Sequence, residues 1–429
     1  MQQFNDIESF IGFVESQKRF SKKVSLDNMK YFVSLFDHPE QKFKSIHVTG
    51  TNGKGSTVSY LKNIYLANGY NVATFTSPYV IKFNERITYN NQNISDQDLL
   101  YYGNLILSKY DEIKKSNHEL PGFFEFITLL AFLYFANLDI DVAIIEVGIG
   151  GRLDATNVIT PIASVITSVG LDHLEQLGPT KTHIVKEKLG IVKKSIPLFT
   201  AVKEEELLNI MNEKCLVLNS TFNKVDFKEL KIKKMDLESS VFSYKGYNDL
   251  SISLVGKHQI ENATLAVEVV DYLNSINILP VNLESIYNGL NNTRWPGRLE
   301  CVSKHPLIYI DGGHNIDCIK RVCEFVNGLN FTNKRVVISI SDDKDKKAMI
   351  ELLDETFTEH VFTKYTYKRS ATSNELYNLS TSKNKVLIEN INDTINYCFD
   401  NQCEFTLFVG SLYLISEIRP LILNYEKKN

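Results

Sequence analysis

The sequence is poor in the features that mark several specialised classes of protein. Its 429 residues include six cysteines, and no two of them form a C-x-x-C pair. Zinc-ribbon and thioredoxin-like sites therefore have no support, and we expect reduced, structural thiols. The formal net charge of −4 excludes a globally basic nucleic-acid-binding protein, so we expect no nucleic-acid partner.

Long apolar segments and a secretion signal are also missing. The longest apolar run, residues 126–138, is interrupted by Thr128 and Asn137 and is too short to cross a bilayer. Asp6 and Glu8 stand where a signal peptide would carry Lys or Arg. We therefore expect a cytoplasmic protein with no membrane partner.

Strand signals alternate with helix signals over most of the chain, which is typical of parallel βα units. We predict an α/β protein with a parallel-rich sheet in a domain over 1–295 and a smaller, Rossmann-like domain over 296–429. The boundary falls at residues 291–298, which hold the only tryptophan. We predict that residues 216–255 form antiparallel strands rather than another βα unit. The predicted strands are 43–48, 71–76, 141–147, 162–169, 307–310, 335–339, 360–364, 385–389 and 404–409.

A glycine-rich loop, GTNGKGS at residues 50–56, separates the first predicted strand from a predicted helix. Small residues let backbone N–H groups turn inward, and the helix N-terminus adds partial positive charge. The strict G-x-x-x-x-G-K-[ST] pattern fails, because Val48 replaces its first glycine and Gly55 follows the lysine. A glycine turn with a surface lysine is the alternative. We predict a triphosphate site formed by Gly50, Thr51, Asn52, Gly53, Lys54, Gly55 and Ser56.

Two other segments resemble nucleotide-binding motifs. Residues 223–226, NKVD, match the guanine-recognition pattern of GTPases, but no D-x-x-G switch segment is present. We interpret them as a chance match in a solvated β turn. Residues 148–151, GIGG, resemble a dinucleotide fingerprint without its third glycine, so these glycines need another role, such as close approach of a substrate. A regulatory nucleotide switch and an NAD-dependent dehydrogenase are thus disfavoured alternatives.

Three polar residues follow neighbouring predicted strands. Glu146 lies at the end of one strand, where a P-loop protein carries the acid that holds Mg²⁺. Ser77 and His173 follow two others. Because the carboxyl ends of parallel strands share one edge of a sheet, we predict a magnesium site there. Taken singly, each residue also has a structural interpretation: a turn serine, a solvated acid or a packed histidine.

Two cationic residues near these strand ends have open roles. Lys188 lies on a lysine-rich helix, so a solvated helix face is the default interpretation. Arg86 can clamp a carboxylate with two hydrogen bonds or form a surface ion pair with Glu85.

Ten motifs occur in one order along residues 40–420. They are GTNGKGS (50–56), TSPY with FNERI (76–87), EVGIGGRLDATN (146–157), LDH with LG (171–178), EKLGI (187–191), GKHQIENA (256–263), WPGRLE (295–300), DGGHN (311–315), DKD (343–345) and GSLYL (410–414). Together they closely resemble the folylpolyglutamate synthase and dihydrofolate synthase family, which belongs to the Mur-ligase group of ATP-dependent amide ligases.

The resemblance implies a Mur-ligase-like P-loop domain and a two-step reaction. A substrate carboxylate attacks the γ-phosphate of ATP, giving an acyl phosphate and ADP, and the amine of L-glutamate then displaces phosphate. The implied carboxylate belongs to a reduced folate or, alternatively, to 7,8-dihydropteroate. Closure of the two domains would keep water from the acyl phosphate. We expect a monomer with small-molecule partners only.

The resemblance also implies residue roles. Ser77, Glu146, His173 and Lys188 match metal ligands, with Lys188 carbamylated by CO₂ so that it supplies oxygens to Mg²⁺. Carbamylation needs a neutral lysine and hence a lowered pKa at Lys188. Asn262, Arg298 and Asp311 match ATP contacts, so the nucleotide should bridge the domains. Arg86, His314 and Ser411 match substrate contacts, the last two for glutamate. The implied catalytic residues are Lys54, Lys188, His173, Asp311 and His314.

One rival exists within the same enzyme group. A cell-wall Mur ligase would need a nucleotide-sugar-binding N-terminal domain. A phosphate loop at residue 50 leaves little room for one, so we expect the folate branch of the group.

Overall fold

The computed structural model describes residues 3–18, 25–401 and 403–426. Helices and strands alternate along most of these residues, which confirms the predicted α/β class. Their strands form an eight-stranded, a three-stranded and a six-stranded sheet. Among the described residues, no helix combines the length and the apolar character needed to cross a membrane.

The eight-stranded sheet holds the predicted phosphate loop. Its strands are β1 (Ser45–Thr49), β2 (Val72–Phe75), β3 (Ile87–Tyr89), β4 (Gln92–Asn93), β5 (Val142–Glu146), β6 (Ala163–Ile166), β7 (Leu198–Thr200) and β8 (Phe222–Lys224). They lie in the order β4-β3-β2-β5-β1-β6-β7-β8. Every residue of β1 and β5 is buried, as expected for parallel strands covered on both faces.

The position of β1 explains where a ligand can bind. It pairs in parallel with β5 on one side and with β6 on the other. The chain leaves β1 towards β2 on the β5 side and later reaches β6 on the opposite side. Such a reversal of strand order opens a crevice at the carboxyl end of the central strand. The GTNGKGS loop follows β1 at this point.

Helices precede or connect these strands. They are α1 (Ile7–Ser16), α2 (Asp27–Ser34), α3 (Lys54–Ala67), α4 (Asp96–Ser108), α5 (Tyr110–Lys115), α6 (Phe123–Phe135), α7 (Leu174–Leu177), α8 (Lys181–Lys188) and α9 (Glu205–Val217). Gly69, with φ +84°, ends α3 as predicted, since glycine adopts the left-handed conformation without strain. The Ser95 hydroxyl caps α4 by accepting the Asp98 N–H at 3.0 Å. Helix α6 is largely buried, which confirms the prediction for this apolar segment.

The prediction of antiparallel strands over 216–255 is wrong for residues 222–224, which form β8. β8 pairs in parallel with β7 and forms an edge of the eight-stranded sheet. Asn223 and Lys224 belong to β8, so the β-turn interpretation of the NKVD segment is also wrong. Backbone pairing with β7 stabilises this polar edge strand, and its side-chain pattern does not reveal it. A separate three-stranded sheet follows, formed by β9 (Leu230–Met235), β10 (Ser240–Tyr244) and β11 (Tyr247–Ile252).

Two helices follow, α10 (Lys257–Ser275) and α11 (Leu283–Asn292), and Gly289 of α11 packs against Ile64 of α3. The six-stranded sheet and its helices come after them. They are β12 (Glu300–Lys304), β13 (Leu307–Asp311), α12 (Ile316–Asn327), β14 (Lys334–Ile338), α13 (Lys346–Thr356), β15 (Glu359–Phe362), α14 (Ser373–Leu379), β16 (Lys385–Leu387), α15 (Ile391–Asp400), β17 (Phe405–Val409) and α16 (Leu412–Glu426). The strand order is β12-β13-β17-β14-β15-β16. All neighbours are parallel except β12, an edge strand that the sequence did not predict.

The described residues divide into two compact units. The first takes those within Met1–Leu230, Tyr244–Leu250 and Glu261–Thr293, and the second those within Lys231–Ser243, Ser251–Ile260 and Arg294–Asn429. The second unit thus includes two stretches, Lys231–Ser243 and Ser251–Ile260, that precede the predicted boundary at residues 291–298. Leu237 and Val255 pack into the core of its sheet, and the Tyr309 hydroxyl donates to the Leu237 carbonyl at 2.8 Å. The assignment of residues 1–295 to an ATP-binding ligase domain and of residues 296–429 to a glutamate-binding domain stays a prediction.

Candidate active site

Two glycines shape the loop that follows β1. A Cβ on Gly50 would overlap the hydroxyl of Thr167, so no larger residue fits there. Gly53 has φ +87° and immediately precedes α3, and a Cβ there would overlap the side-chain amide of Asn262. Both positions therefore require glycine. Asn262, predicted from its motif, lies against the turn that begins α3.

The loop is fixed in place by the segment that follows β6. The Thr51 N–H donates to the Ser168 carbonyl at 2.9 Å, and the Asn52 N–H donates to the Ser168 hydroxyl at 2.9 Å. The Thr167 hydroxyl in turn donates to the Asn52 carbonyl at 2.6 Å. These bonds hold the first turn of α3, whose N–H groups have no partner within the helix, towards the carboxyl edge of the sheet.

Lys54 lies over this loop. Its ammonium donates to the Gly50 carbonyl at 3.0 Å and to the Thr51 carbonyl at 3.3 Å. A positive charge therefore stands beside the free N–H groups at the start of α3, which is the arrangement that binds anionic phosphate. The alternative of an exposed surface lysine is wrong, since Lys54 is partly buried against the loop.

Glu146 and Ser77 meet at the ends of β5 and β2. The Ser77 N–H donates to Glu146 Oε2 at 3.2 Å, and Glu146 is only 3% exposed. The predicted juxtaposition of these two residues is therefore present. A carboxylate and a hydroxyl are oxygen donors of the kind that Mg²⁺ prefers.

His173 lies in the same region of the sequence but is exposed. It has φ +52° and directly precedes α7. Within the described ranges, no three His, Cys, Asp or Glu side chains come together as a metal-binding group. The predicted magnesium set contains one carboxylate and one imidazole, and its assignment stays a prediction.

Lys188 is buried rather than on a solvated helix face, so the default interpretation of this residue is wrong. It is the last residue of α8 and is 2% exposed. Burial, together with the positive charge of Lys54, lowers its pKa to about 7, and the carboxylates of Asp172 and Asp154 partly oppose these effects. A substantial fraction of Lys188 is therefore neutral near physiological pH.

The loop over 148–157 holds the end of α8 in place. The Arg152 N–H donates to the Glu187 carbonyl at 2.8 Å, and the Arg152 guanidinium binds the Glu187 carboxylate at 2.9 and 3.1 Å. The Asn157 amide donates to the Gly190 carbonyl at 3.0 Å. A Cβ on Gly151 would lie only 3.0 Å from the Lys188 carbonyl. Gly151 is thus needed for internal packing, and the approach of a substrate to residues 148–151 stays a prediction.

Asp154 completes this loop. Its buried carboxylate accepts the Ile149 N–H at 3.0 Å, the Thr156 N–H at 3.1 Å and the Thr156 hydroxyl at 2.5 Å. Burial raises the pKa of Asp154, and these hydrogen bonds oppose the rise. Arg152, Asp154 and Asn157 belong to the motif EVGIGGRLDATN, which by itself predicts no role for them. Their position in one polar loop directly after Glu146 was the available signal.

Arg86 is also buried, at 7% exposure. Its guanidinium lies 4.9 Å from the ring centre of Tyr79, 5.5 Å from Phe83 and 5.3 Å from Phe123. The Glu85 carboxylate instead accepts backbone N–H groups of residues 80–82. The surface ion-pair alternative is therefore wrong, and the aromatic rings fix the guanidinium plane.

The second unit gathers three predicted residues at the carboxyl end of β13. The buried Asp311 carboxylate accepts the Leu299 N–H at 2.8 Å and the Gly313 N–H at 2.7 Å. Burial raises its pKa, against the opposing positive charge of Arg298. His314 Nδ1 lies 3.2 Å from the Gly312 carbonyl and donates a hydrogen bond to it.

Ser411 lies on the neighbouring strand's end. In the pairing of β13 with β17, Asp311 faces Val409, and Ser411 follows two residues later. Ser411 is 2% exposed, and its hydroxyl accepts the Tyr413 N–H at 3.2 Å. Asp311 and Ser411 thus share one edge of the six-stranded sheet.

Comparison with known proteins identifies close relatives. The Mur ligase middle domain family matches residues 48–270 of the chain. The dihydrofolate synthase/folylpolyglutamate synthase of Bacillus subtilis is 37% identical over 418 residues, which cover 95% of this chain and 97% of the relative. The folylpolyglutamate synthase of Lacticaseibacillus casei is 32% identical over 426 residues, covering 96% of this chain and 98% of the relative.

Solved structures agree with these relatives. The folylpolyglutamate synthase of Thermotoga maritima has a TM-score of 0.84 at 30% identity, covering 99% of this chain and 98% of that one. A folylpolyglutamate synthase in complex with AMPPCP and folate has a TM-score of 0.84 at 30% identity, covering 98% and 100% of the two chains.

The buried ammonium of Lys188 predicts a pH-dependent stability. Between a folded-state pKa of about 7 and the ordinary value of 10.5, the unfolded chain binds a proton that the folded chain does not, so stability rises with pH. Relative to Lys188→Met, the wild-type free energy of unfolding should rise by about 2 kcal/mol from pH 7 to pH 9. Urea unfolding in CO₂-free buffer measures this difference.

Lys186→Met is the matched control, because Lys186 lies on the same helix and is exposed. Because Lys186→Met keeps Lys188, the difference in free energy of unfolding between wild type and Lys186→Met should not change from pH 7 to pH 9. A difference between wild type and Lys188→Met that stays constant from pH 7 to pH 9 would contradict the lowered pKa.

Proposed function

The chain belongs to the folylpolyglutamate synthase and dihydrofolate synthase family of Mur ligases, and from this premise we propose that it is an ATP-dependent ligase that joins a reduced folate to L-glutamate. The observation that carries the proposal is the phosphate loop with Lys54 at the switch point of the sheet, in a chain that matches these relatives over nearly its whole length. AMPPCP is an analogue of ATP, and its complex with a similar synthase supports ATP as the nucleotide.

The reaction makes an amide in two steps. A carboxylate oxygen of the folate attacks the γ-phosphorus of ATP, and the bond to ADP breaks. The glutamate nitrogen then attacks the acyl carbon of the resulting acyl phosphate, loses a proton, and phosphate leaves. Lys54 and the N–H groups at the start of α3 neutralise charge on the transferred phosphoryl group.

We infer that Glu146 and Ser77 hold a Mg²⁺ ion, with His173 as a further ligand. The support is the buried carboxylate of Glu146 beside Ser77, next to the phosphate loop on β1. Magnesium would supply positive charge to the phosphate oxygens during transfer.

We also infer that Lys188 is carbamylated. Its burial and lowered pKa supply the neutral amine that CO₂ requires. The carbamate would exchange a buried ammonium beside Lys54 for an anion, so the repulsion between the two cations becomes an attraction. The bonds from Arg152 and Asn157 keep the end of α8 in position for this role.

We assign Asn262, Arg298 and Asp311 to nucleotide binding, Arg86 to the folate, and His314 and Ser411 to glutamate. Dihydropteroate is the second candidate acceptor, because the Bacillus subtilis relative carries both activities in its name. An ADP-release assay with L-glutamate should compare tetrahydrofolate, 5,10-methylenetetrahydrofolate and dihydropteroate. Absence of glutamate-dependent ADP release with all three acceptors would refute the proposal.

Lys54→Ala should reduce glutamate-dependent ADP release by about two orders of magnitude or more, because the charge beside the phosphate loop is lost. Lys44→Ala is the control, since Lys44 is exposed and precedes the opposite end of β1. Near-normal turnover in Lys54→Ala would rule out the assigned phosphate site.

Glu146→Gln should raise the Mg²⁺ concentration for half-maximal activity by about tenfold or more, since one anionic ligand is lost while Gln can still accept the Ser77 N–H. Asp141→Asn, just before the opposite end of β5, serves as the control. An unchanged magnesium titration would argue against the metal role of Glu146.

Lys188→Ala should be nearly inactive and should regain part of its activity when formate or acetate replaces the missing carbamate oxygens. Lys186→Ala, on the exposed face of α8, should keep normal activity. Normal turnover of Lys188→Ala without added carboxylate would show that no carbamate is needed.

A further inference from the structure

The chain directly after Lys188 lies against the loop over 148–157. A Cβ on Gly190 would overlap the backbone of Arg152, so the two segments approach each other as closely as two backbones can. On the other side of Lys188, the Arg152 N–H donates to the Glu187 carbonyl at 2.8 Å. The backbone is therefore held to one loop both before and after Lys188.

The side-chain amide of Asn157 joins these two segments. Asn157 is 5% exposed, and its Nδ2 donates to the Arg152 carbonyl and to the Gly190 carbonyl, each at 3.0 Å. An amide nitrogen carries two hydrogens, so these two bonds use both of them. One buried side chain thus links the loop over 148–157 to the chain that follows Lys188.

Lys193 determines which way this amide faces. Its ammonium donates to Asn157 Oδ1 at 2.8 Å and to the Asn157 backbone carbonyl at 3.0 Å. An ammonium group can only donate hydrogen bonds, and a backbone carbonyl can only accept them. If the amide turned over, its NH₂ group would face the ammonium and its oxygen would face the two carbonyls. The bonds to Lys193 therefore keep the Asn157 donors directed at Arg152 and Gly190.

Lys193 is itself anchored through the backbone of its segment. The Lys193 carbonyl accepts the Ser220 hydroxyl at 2.9 Å. Two residues earlier, the Ile191 carbonyl accepts the hydroxyl of Ser164, a residue of β6, at 3.0 Å. The ammonium of Lys193 therefore reaches Asn157 from a segment that is fixed to the eight-stranded sheet.

We propose that Lys193 is a positioning residue that acts through Asn157 to hold Lys188 where it is carbamylated, an inference that rests on the proposed function. In that step the Lys188 nitrogen attacks the carbon of CO₂, a C–N bond forms, one C–O π bond becomes an oxyanion, and the nitrogen releases a proton to solvent. Groups that bind a metal ion must be held to within about 0.5 Å, which requires hydrogen bonds from the residues around them. Carbamate formation is reversible, so a carbamate that is poorly placed for the metal ion is lost more readily.

A role in packing alone would have a different signature. Without the Lys193 bonds the Asn157 amide can turn, which releases the Gly190 carbonyl and loosens the chain next to Lys188. The phosphate loop is held by separate bonds to Ser168. The carbamate should therefore be lost at a low CO₂ concentration and restored at a high one, by mass action. A general loss of stability would give no such recovery.

Lys193→Met tests this role, because it removes the donating ammonium and keeps a long side chain. With Mg²⁺ and ¹³C-labelled bicarbonate, the Lys188 carbamate gives a ¹³C NMR signal that is absent in Lys188→Ala. In Lys193→Met the bicarbonate concentration that half-saturates this signal should rise by about tenfold. Lys193→Arg should stay within about twofold of wild type, because a guanidinium can donate to both oxygens of Asn157. Lys194→Met is the matched control, since Lys194 is exposed and carries the same charge.

A second variant examines the other partner of this contact. Asn157→Leu keeps the shape of the side chain and removes its donors, so the half-saturating bicarbonate concentration should rise at least as much as in Lys193→Met. The double variant should be no worse than Asn157→Leu alone, because both changes act through one side chain, and effects that multiply would overturn the inference. Thermal melting shows whether each variant folds, and Lys193→Met decides alone if Asn157→Leu does not.

Activity supplies an independent measurement. Glutamate-dependent ADP release by Lys193→Met should fall by about tenfold in buffer poor in CO₂ and should return to within about twofold of wild type in saturating bicarbonate. A loss of activity that bicarbonate does not restore would contradict the positioning role.

The outcomes separate this inference from the proposed function. If the wild type carries the carbamate and Lys193→Met is half-saturated at the same bicarbonate concentration, the positioning role is wrong and the ligase assignment stands. The role is also wrong if Lys194→Met changes as much as Lys193→Met. If the wild type gives no carbamate signal, the carbamate and the positioning role both fall, whereas glutamate-dependent ADP release decides the ligase assignment separately.

Discussion

The site of the first unit depends on the burial of the Lys188 ammonium group, whose unfavourable effect is increased by the positive charge of Lys54. Lys188 is buried at the end of α8, and the charge of Lys54 adds to the effect of burial in lowering its pKa. Such a pair is unfavourable unless anions approach it or one amine becomes neutral. In the proposed ligase, a triphosphate would neutralise the charge of Lys54, and carbamylation would convert the amine of Lys188 to an anion. The same pair of lysines would thus favour both nucleotide binding and carbamylation.

Hydrogen bonds to the backbone hold in place the two segments that carry these lysines. The segment after β6 holds the phosphate loop, and the loop over 148–157 holds the last turn of α8. Asp154 supplies a buried negative charge within that second loop. The phosphate loop follows β1, and the loop over 148–157 follows the neighbouring strand β5. The order of strands in the sheet therefore determines which charged groups lie near one another.

Much of this arrangement could be predicted from local pattern. The apolar strands, the glycine loop before a helix and the Ser95 cap are all short-range features, and each is present in the structure. Burial of Lys188 could not be predicted in this way, because it depends on the packing of a loop more than thirty residues earlier in the chain. The parallel edge strand β8 is polar and was missed for the same reason, since its stability comes from pairing with β7.

The two parallel-rich sheets use one principle with different chemistry. The first places charged groups at its carboxyl edge, where phosphate charge must be neutralised. The second places the neutral hydroxyl groups of Ser341, Tyr365 and Ser411 at its carboxyl edge. The hydroxyl groups of Ser341 and Tyr365 lie 2.7 Å apart, and the ring of Tyr365 stacks on Tyr413. Neutral hydroxyl groups that are hydrogen-bonded can be buried without the large desolvation cost that a buried charge carries. The second sheet therefore needs no compensating charge at these three positions, whereas the first sheet needs one at its carboxyl edge.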